Sequence, residues 1–490
     1  MSKALIVGAG PAGMMLAGEL KLAGIDAQIL EKRAAGALIE SRAGGVHCRT
    51  IETFDQRGIA ERFLTVGTKV QTARFGGSVL DISDFPTRHP YGLGLWQSQL
   101  QPILEEWITE LGVRIRYGTE VTGFTQNESG VTIETSTGEK LHSSYLIGAD
   151  GGRSLIRSVA GIDFPGWEAT RSNLIAEVEI SADAPVGMLQ DHSGVHGFTL
   201  LENGHSYRVI TTEPTLGSRT EPTLEDLSYS LQAAYGTDFG VHNPTSLSRF
   251  TDATRQAATY RKDRILLVGD AAHIHYPAGG QGIGLGIQDA VNLGWKLAQV
   301  IDGRSPDSLL DTYTTERHPV GLRALKHSMA QTVLQRHDAR TSALAECMSE
   351  LMLMDEPRQH IAALMHGLDI AYDLGAGHPM VGRRMPDLEI LTEHGAVGVF
   401  SLLHTARGVL LNFQESRKID LGDATKYIHN MRVRLLGEIE LPLLGRITSP
   451  SAVLIRPDGY VAWAGEGNEY GLQDALVRWF GSGERSTKRN

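Results

Sequence analysis

The residues with the clearest chemical potential are three glycines close to the start of the 490-residue chain, Gly8, Gly10 and Gly13. They follow a short apolar run and open a helical pattern, and Glu31 ends the next apolar run. Glycines at this Gly-x-Gly-x-x-Gly spacing permit a tight turn, close approach of a pyrophosphate and close helix–strand packing, while the acid accepts hydrogen bonds from a ribose. The pattern predicts a dinucleotide site, and by itself it leaves both NAD and FAD open.

Two later junctions place an aspartate where a buried strand ends. The run "LIGADGG" contains Asp150-Gly151, and the run "LLVGDAA" contains Gly269-Asp270. Either junction by itself is equally consistent with an ordinary turn, because Asp and Gly are favoured turn residues. The two acids together suit a cofactor that carries hydroxyl groups along a ribityl chain, which favours FAD over a simple nicotinamide cofactor.

A second glycine-rich segment, "HIHYPAGGQGIGLGIQDAVNLGWKLA" at 273–298, follows the second of these acids. Five glycines fall between Gly279 and Gly286, and a helical pattern continues from them. Glycines next to a helix start are typical of a phosphate or anion site. His273 and His275 alternate, but no carboxylate or cysteine pattern at metal-ligand spacing accompanies them, so we predict no metal site.

The elements that must position these residues change in character along the chain. Residues 4–31 predict one strand–helix–strand unit, as a parallel sheet requires. Short strands with polar connections over 173–255 predict a largely antiparallel sheet. A buried strand followed by a helix is predicted again at 263–273, and helices dominate 286–370. A third region of short strands and helices follows.

Composition excludes several classes of partner. The 46 basic and 57 acidic residues give a net charge of −11, and no block of Lys or Arg stands out, so we expect neither nucleic acid nor an anionic membrane as a partner. No apolar run approaches the length of about 18 residues that spans a membrane. The only two cysteines, Cys48 and Cys347, lie far apart, which favours reduced thiols in a cytoplasmic protein.

The motifs taken together resemble one enzyme family. The glycine motif with Glu31, then Asp150-Gly151, then Gly269-Asp270 in this order are similar to the single-component (group A) FAD-dependent aromatic hydroxylases, which share the para-hydroxybenzoate hydroxylase fold. The chain most resembles the branch that hydroxylates aromatic polyketides, such as the tetracycline, angucycline and anthracycline hydroxylases, with rifamycin monooxygenases nearby. Further motifs of that branch are "SRAGGVHCRTIE" (41–52), "DFPG" (163–166), "LLDTYTTERHPV" (309–320), "GRRMPDLEI" (382–390) and "LIRPDGYVAW" (454–463).

The resemblance covers essentially the whole chain and implies its architecture. The expected fold class is α/β, with a Rossmann-type FAD-binding domain, an inserted, largely antiparallel β-sheet substrate domain and a C-terminal thioredoxin-like domain. We expect the FAD-binding domain at 1–172 and 256–375, the substrate domain at 173–255 and the C-terminal domain at 376–490. Because both cysteines precede 376, this last domain lacks redox cysteines, and "RPDG" (456–459) is expected to be a turn with a structural or assembly role.

The resemblance also implies roles for individual residues. Arg42 matches an arginine that steadies the FAD pyrophosphate, Gln97 a glutamine close to the cofactor, and Asp270 the acid that holds the ribityl chain. The cofactor-binding residues carried over are Gly8, Gly10, Pro11, Ala12, Gly13, Glu31, Lys32, Arg42, Gln97, Asp150, Arg153, Gly269, Asp270, Gly282 and Ile283. Arg153 adjoins the Asp-Gly motif, which in the family serves both FAD and NADPH.

The loop that passes the flavin ring is the expected catalytic segment. Its candidate catalytic residues are Pro277, Gly280, Gln281 and Gly282, and no protein general base is assigned. One departure is Gly284, where many relatives carry Asn, so a side-chain contact near the pyrimidine end of the ring is in question.

The reaction implied by the resemblance is a hydroxylation with FAD bound and NADPH or NADH and O₂ as co-substrates. A C4a-hydroperoxyflavin passes oxygen to an electron-rich ring of a small polycyclic aromatic molecule, and the enzyme acts as a monomer or homodimer. The alternatives are a Baeyer–Villiger or antibiotic-inactivating monooxygenase on a related polyketide, a flavin dehydrogenase or reductase, and a binding-only relative that shares the nucleotide-binding architecture.

Overall fold

The strand–helix–strand unit at the N-terminus belongs to a six-stranded sheet. The structure, a computed structural model, describes residues 3–37, 43–201, 203–217, 220–336, 338–414 and 419–481. From edge to edge the strands are Arg261–Lys262, Ile265–Leu267, Tyr145–Gly148, Ala4–Val7, Ala27–Leu30 and Arg114–Arg116. All neighbours run parallel except the first pair. The central strands are apolar throughout because both faces of a parallel sheet are buried.

The N-terminal helix Pro11–Leu22 is held between two longer helices, Gln97–Glu110 and Gly282–Ile301. The crossings are close, since a Cβ on Gly18 would lie 2.4 Å from the ring of Trp107, and one on Gly294 would lie 2.5 Å from a neighbouring side chain. Glycine inside a helix costs about 1 kcal/mol relative to alanine, and here that cost permits the close packing. The helix that follows the first glycine motif is therefore fixed in position.

The remaining helices and the small sheets surround this core. The helices are Cys48–Asp55, Ala60–Leu64, Leu155–Val159, Asp311–Leu334, Ala339–Leu351 and Asp355–His366. One three-stranded sheet contains Lys140–Ser143, Gly130–Thr135 and Val121–Asn127, and another contains Gly45–Val46, Gly92–Gly94 and Thr68–Val70. A third contains Gly166–Trp167, Thr254–Gln256 and His273–Ile274. Strands Thr72–Phe75 and Ser78–Asp81 form a two-stranded sheet. Helices do dominate 286–370 as predicted, although the helix beyond the second glycine motif begins earlier, at Gly282.

In the sequence, the predicted antiparallel sheet comes between strand Tyr145–Gly148 and strand Arg261–Lys262 of the six-stranded sheet. Its five strands, in spatial order, are Gly187–Gln190, Val195–Leu200, Ser206–Thr212, Ser172–Glu179 and His242–Thr251. All four pairings are antiparallel. Helix Leu224–Tyr235 covers one face, where Leu227 and Leu231 pack against strand residues such as Phe198. The edge strand Gly187–Gln190 is exposed, and its last residue, Gln190, borders a cavity.

The C-terminal region is built on a four-stranded sheet with the order Ile428–Arg432, Gly408–Asn412, Ala452–Ile455 and Val461–Gly465. The first pair is parallel and the other two are antiparallel. Shorter strands are Glu389–Thr392, Gly395–Gly398, Arg434–Leu435, Ile439–Leu441 and Gly445–Ile447, and helix Leu472–Phe480 ends the described chain. Trp479 of that helix packs on Trp295, with ring centroids 6.3 Å apart, so the region is joined to helix Gly282–Ile301.

A buried charge network forms the second junction with the C-terminal region. The turn at 456–459 projects Arg456, whose guanidinium donates two hydrogen bonds of 2.8 Å to the carboxylate of Glu316. Its Nε also donates to Asp458 at 3.0 Å, and Lys296 donates to Glu316 at 2.9 Å. Burial lowers the pKa of Lys296 to about 8, whereas Arg456 and Lys296 together overcome burial and lower the pKa of Glu316 to about 2. Two cations thus balance two carboxylates inside the interface.

Candidate active site

The three glycines of the first motif have different surroundings. Gly8 has φ +107°, and a Cβ there would lie 2.3 Å from the carbonyl oxygen of Ala149. A Cβ on Gly13 would lie 2.2 Å from the carbonyl oxygen of Gly8, whereas one on Gly10 would meet nothing within 4 Å. Gly8 and Gly13 are thus required by the packing of the protein, and Gly10 leaves an open approach to the start of helix Pro11–Leu22.

Glu31 stands beside this approach as an ionised acceptor. Its Oε2 accepts a hydrogen bond from the N–H of Ala9 at 2.8 Å, and its Oε1 accepts from the N–H of Arg33 at 2.9 Å. Burial alone would raise the pKa of Glu31, but the hydrogen bonds from Arg33 and Ala9 outweigh it and hold the pKa below its usual value. The neighbouring Lys32 is exposed.

One residue next to the glycine loop was missed by sequence reasoning. Gln97 begins helix Gln97–Glu110 as a half-buried residue, and Gln101 lies one turn later on the same face. Gln101 is buried, and its Nε2 donates to the carbonyl oxygen of Ala9 at 2.9 Å. Its Oε1 has no hydrogen-bond partner among the residues that the structure describes. The i, i+4 spacing from Gln97 is the signal that points to it.

Asp150 first serves to build its own turn. Its Oδ1 accepts a hydrogen bond from the hydroxyl of Ser154 at 2.5 Å, and its Oδ2 accepts from the N–H of Ile156 at 3.1 Å. Burial raises the pKa of Asp150. Arg153 is exposed, and its guanidinium lies 3.8 Å from the carboxylate of Glu221. Direct contact of Asp150 or Arg153 with a cofactor stays a prediction.

Among the described residues, the carboxylate of Asp270 has no hydrogen-bond partner within the protein. Its side chain is exposed, and no hydrogen bond to it is found within the described part of the chain. The preceding Gly269 has φ +60°, and a Cβ there would lie 3.1 Å from the Cβ of Ala12. A Cβ on Gly286 would likewise lie 3.1 Å from Ala12. The starts of helices Pro11–Leu22 and Gly282–Ile301 and the Asp270 turn are therefore in contact.

The two glycine-rich segments thus border one site. Strands Ala4–Val7, Tyr145–Gly148 and Ile265–Leu267 are parallel neighbours, so the residues that follow them meet at the same edge of the sheet. In open α/β sheets this carboxyl edge is where ligands bind.

The loop from Pro277 to Gly282 is held by two histidines, the half-buried His47 and the buried His327. The Nε2–H of His47 donates to the carbonyl oxygen of Gly279 at 2.6 Å, and the amide of Gln281 lies 3.1 Å from Nδ1 of His327. Burial lowers the pKa of His47 and lowers that of His327 to about 4, so both rings are neutral near pH 7. Neutral imidazoles fix the loop without adding charge to it.

A cavity of about 640 Å³ adjoins this loop. Gly279 and Gly280 form part of its wall, Gln190 comes from the edge strand of the antiparallel sheet, and Gln331 comes from helix Asp311–Leu334. The other lining residues are Gly44, Gly45, Val46, His47, Val70, Thr72, Ala73, Arg74, Gly76, Gly77, Gly92, Leu93, Gly94, Leu334, Gln335, Met365 and His366. Its volume lies within the range of about 300–1,000 Å³ that is usual for sites of drug-sized ligands.

The alternating histidines have structural roles. His273 Nε2 lies 2.7 Å from Asp289, whose other oxygen accepts a hydrogen bond from Nε of Arg317 at 2.7 Å. His275 Nδ1 donates to the carbonyl oxygen of Tyr276 at 2.8 Å. Within the described ranges, no group of three or more His, Cys, Asp or Glu side chains is placed to hold a metal ion, and no helix is long and apolar enough to cross a membrane.

Two family models match the chain, the FAD binding domain over residues 1–328 and the aromatic-ring hydroxylase C-terminal region over residues 378–483. The chain belongs to the FAD-dependent aromatic-ring hydroxylases. It is 40% identical to rifampicin monooxygenase of Streptomyces venezuelae, over 98% of this chain and 99% of that protein. It is 37% identical to dialkyldecalin synthase of Streptomyces rugosporus, over 97% of this chain and 98% of that protein.

The solved structure of OxyS anhydrotetracycline hydroxylase from Streptomyces rimosus is similar to this hydroxylase over its whole length. The TM-score is 0.91 at 39% identity, covering 98% of this chain and 99% of that one. The predicted fold class is confirmed, with its Rossmann-type domain, inserted antiparallel sheet and thioredoxin-like C-terminal domain. The expected enzyme class, an FAD-dependent monooxygenase that consumes NAD(P)H and O₂, is confirmed as well.

The described residues of this hydroxylase fit FAD. The open space at Gly10 leaves room for a pyrophosphate, and the free carboxylate of Asp270 can accept hydrogen bonds from ribityl hydroxyls. The unpaired Oε1 of Gln101 marks a place for a donor, because a buried acceptor without a partner costs free energy. Arg42, which the resemblance assigns to the pyrophosphate, lies outside the described residues.

Gly284, the departure from the family pattern, faces Thr50. A Cβ on Gly284 would lie 2.6 Å from Oγ1 of Thr50, so the threonine hydroxyl fills the space that a side chain at 284 needs. That hydroxyl is buried and has no hydrogen-bond partner among the described residues. Both residues line a small cavity of about 20 Å³, which has room for a single water molecule. A threonine from another helix therefore occupies the space beside Gly284.

We expect Gly284→Ala to destabilise the hydroxylase by up to about 2 kcal/mol, because overpacking costs about 1–3 kcal/mol and alanine inside a helix regains about 1 kcal/mol. Adding Thr50→Ala removes the obstructing oxygen, so the double variant should lose less stability than the sum of the two single changes. Thermal unfolding of the three variants and the parent measures this coupling. Strictly additive losses would show that Thr50 does not occupy the space at 284.

Proposed function

We propose that this enzyme hydroxylates a polycyclic aromatic polyketide of the tetracycline or angucycline type, with NADPH or NADH and O₂ as co-substrates. The observation that carries the proposal is the 640 Å³ cavity, which adjoins the loop at Gly279 and Gly280. Such a volume suits a ligand of three or four fused rings better than a single ring. The name of the similar anhydrotetracycline hydroxylase points to the same class of substrate.

We assign FAD binding to the residues of both glycine-rich segments and of the acid turns. They are Gly8, Gly10, Pro11, Ala12, Gly13, Glu31, Lys32, Arg42, Gln97, Asp150, Arg153, Gly269, Asp270, Gly282 and Ile283. Residues 1–172 with 256–375 would form the FAD-binding domain, 173–255 the substrate domain and 376–490 the C-terminal domain. The enzyme would act in the cytoplasm as a monomer or homodimer.

The protein's part in the reaction is to bind, orient and shield. Bound FAD, reduced by NADPH or NADH, supplies activated oxygen, one atom of which enters the aromatic ring while the other leaves as water. The loop residues Pro277, Gly280 and Gln281 would set the position of the ring system against the substrate, and His47 fixes that loop through Gly279. The N-terminus of helix Gly282–Ile301 favours negative charge on the reduced cofactor. The cavity walls together with the bound substrate would have to keep water from the reacting atoms, because water diverts the activated oxygen to H₂O₂.

A second candidate is inactivation of an antibiotic by the same chemistry, including oxygen insertion beside a ketone. The 40% identity to rifampicin monooxygenase over nearly the whole chain favours it. The product separates the two reactions, since hydroxylation retains the ring system and Baeyer–Villiger insertion opens or expands it.

The test is an assay of the purified protein with tetracycline-type, angucycline-type and ansamycin substrates. We expect a yellow protein whose NADPH oxidation and oxygen consumption rise when one class of substrate is added, with a product heavier by one oxygen atom. Labelled O₂ must appear in the product, and catalase added as a control reports the fraction lost as H₂O₂. Cofactor oxidation without oxygen consumption would contradict the monooxygenase and favour a flavin dehydrogenase.

A further inference from the structure

The large cavity contains a single formal charge among its described lining residues. That charge is Arg74, in the strand Thr72–Phe75; the other lining residues are aliphatic, amide, hydroxyl, glycine or histidine. Burial lowers the pKa of His47 and of His366, so these two rings are neutral and add no competing positive charge. Arg74 is therefore the one group of the described wall that can attract an anion by its charge.

The strand holds Arg74 in a defined place. Its side chains alternate, with Ala73 and Phe75 buried and Thr72 and Arg74 on the open face. The carbonyl oxygen of Arg74 accepts a hydrogen bond from Nε2 of Gln331 at 3.0 Å. The same amide lies against the flavin-ring loop, because a Cβ on Gly279 would be 3.3 Å from it. One side chain thus connects the backbone of Arg74 to the loop beside the expected reaction centre.

The guanidinium of Arg74 has no ion-pair or hydrogen-bond partner among residues 3–37, 43–201, 203–217, 220–336, 338–414 and 419–481. Two arginines elsewhere in the protein are paired, Arg323 of the small cavity with Asp369 at 2.6 Å and Arg358 with Asp84 at 2.5 Å. In a chain with 57 acidic and 46 basic residues, a partner within the protein would be easy to supply. The five N–H donors of this exposed arginine, which belongs to the cavity wall, are therefore available to a ligand that enters the cavity.

We propose that Arg74 binds an acidic group of the substrate, so that the substrate is a polycyclic aromatic molecule carrying a negative charge at neutral pH, as a carboxylate or as an ionised enol or phenol. This inference rests on the proposed function, because it takes the cavity as the substrate site. A planar guanidinium recognises either group through charge-assisted hydrogen bonds. Arg74 then determines which ring systems are held beside the loop at Gly279.

The test is equilibrium binding to the FAD-loaded enzyme, followed by the change in flavin absorbance and by calorimetry. The probes are anthraquinone-2-carboxylate, alizarin with its acidic 2-hydroxyl, and two neutral counterparts, anthraquinone-2-carboxamide and the 2-O-methyl ether of alizarin. We expect Arg74→Gln to weaken binding of an anionic probe about tenfold, the scale of one charge-assisted hydrogen bond, and of its neutral counterpart less than about twofold. Arg74→Lys should fall between, and rising salt should weaken only the anions.

The matched control is Arg446→Gln, which removes the same charge from an exposed ion pair with Glu438 in the C-terminal region and should leave all four affinities unchanged. If Arg74→Gln weakens binding of anthraquinone-2-carboxylate or of alizarin and not of their neutral counterparts, the proposal is supported. The probe that is affected then identifies the acidic group that Arg74 binds. Equal losses for anionic and neutral probes, or equal affinities of the parent enzyme for them, would overturn it. If Arg74 selects anions but no substrate stimulates oxygen consumption, the hydroxylase proposal fails and the anion site stands.

Discussion

Gly10→Val is expected to give a folded protein that purifies without FAD. Gly10 has φ −81° and ψ 174°, which any residue adopts, and a Cβ there meets no protein atom within 4 Å. The added side chain therefore fits the protein and occupies the space that the pyrophosphate of FAD needs. The ratio of flavin absorbance to protein absorbance measures the loss, and circular dichroism verifies the fold.

The matched control is Gly13→Val, three residues further on. A Cβ on Gly13 would lie 2.2 Å from the carbonyl oxygen of Gly8, so this substitution must displace the backbone of the loop. We expect it to lower the yield of folded protein itself, with or without FAD. If Gly10→Val purified with full FAD, the N-terminal glycine motif would not be the pyrophosphate site.

The backbone of this site was predictable because its signals are local. Glycine spacing, a strand before it and an acid at the end of the next strand lie within residues 4–31, and the structure has strands Ala4–Val7 and Ala27–Leu30 around helix Pro11–Leu22. Likewise, short alternating strands at 173–255 sufficed to predict an antiparallel sheet, because a sheet with one solvated face has period-2 patterning.

Side-chain partners were not predictable, since they depend on residues distant in sequence. Nothing near Gly284 indicates that Thr50 fills its space, and nothing near Gly279 indicates that His47 holds its carbonyl oxygen. Asp150 shows the converse, because its carboxylate caps the helix that begins at Leu155, a use that the Asp-Gly motif does not reveal. The cavity has the same origin, with walls from seven separate parts of the chain.

The "RPDG" motif shows how a correct local prediction can miss the energetic role. The turn was expected and is present, but the motif also buries Arg456 completely against Glu316 of helix Asp311–Leu334. Glu316 belongs to the "LLDTYTTERHPV" motif (309–320), so two of the motifs that resemble the family meet in one contact. That contact connects the C-terminal region to the helices beside the flavin-ring loop.

Arg456→Met is therefore expected to destabilise the enzyme by about 3–5 kcal/mol, the usual cost of leaving a buried charge without its partner. The change leaves Glu316 and Asp458 facing Lys296 alone, one negative charge in excess inside the interface. Apparent melting temperature and the urea midpoint, each measured with FAD in excess, report the loss. Arg456→Lys keeps the charge but not the paired hydrogen bonds to Glu316, so an intermediate value is expected.

The double variant Arg456→Met with Glu316→Gln distinguishes charge balance from packing. It leaves Lys296 and Asp458 as one cation and one anion, so we expect it to be more stable than Arg456→Met alone even though it carries one more substitution. An exposed pair, Arg62 with Glu110 at 2.7 Å, supplies the control, because Arg62→Met should cost no more than about 1 kcal/mol. If the double variant were less stable than Arg456→Met, the loss would come from the shape of the arginine side chain, and the network would not act as a balanced set of charges.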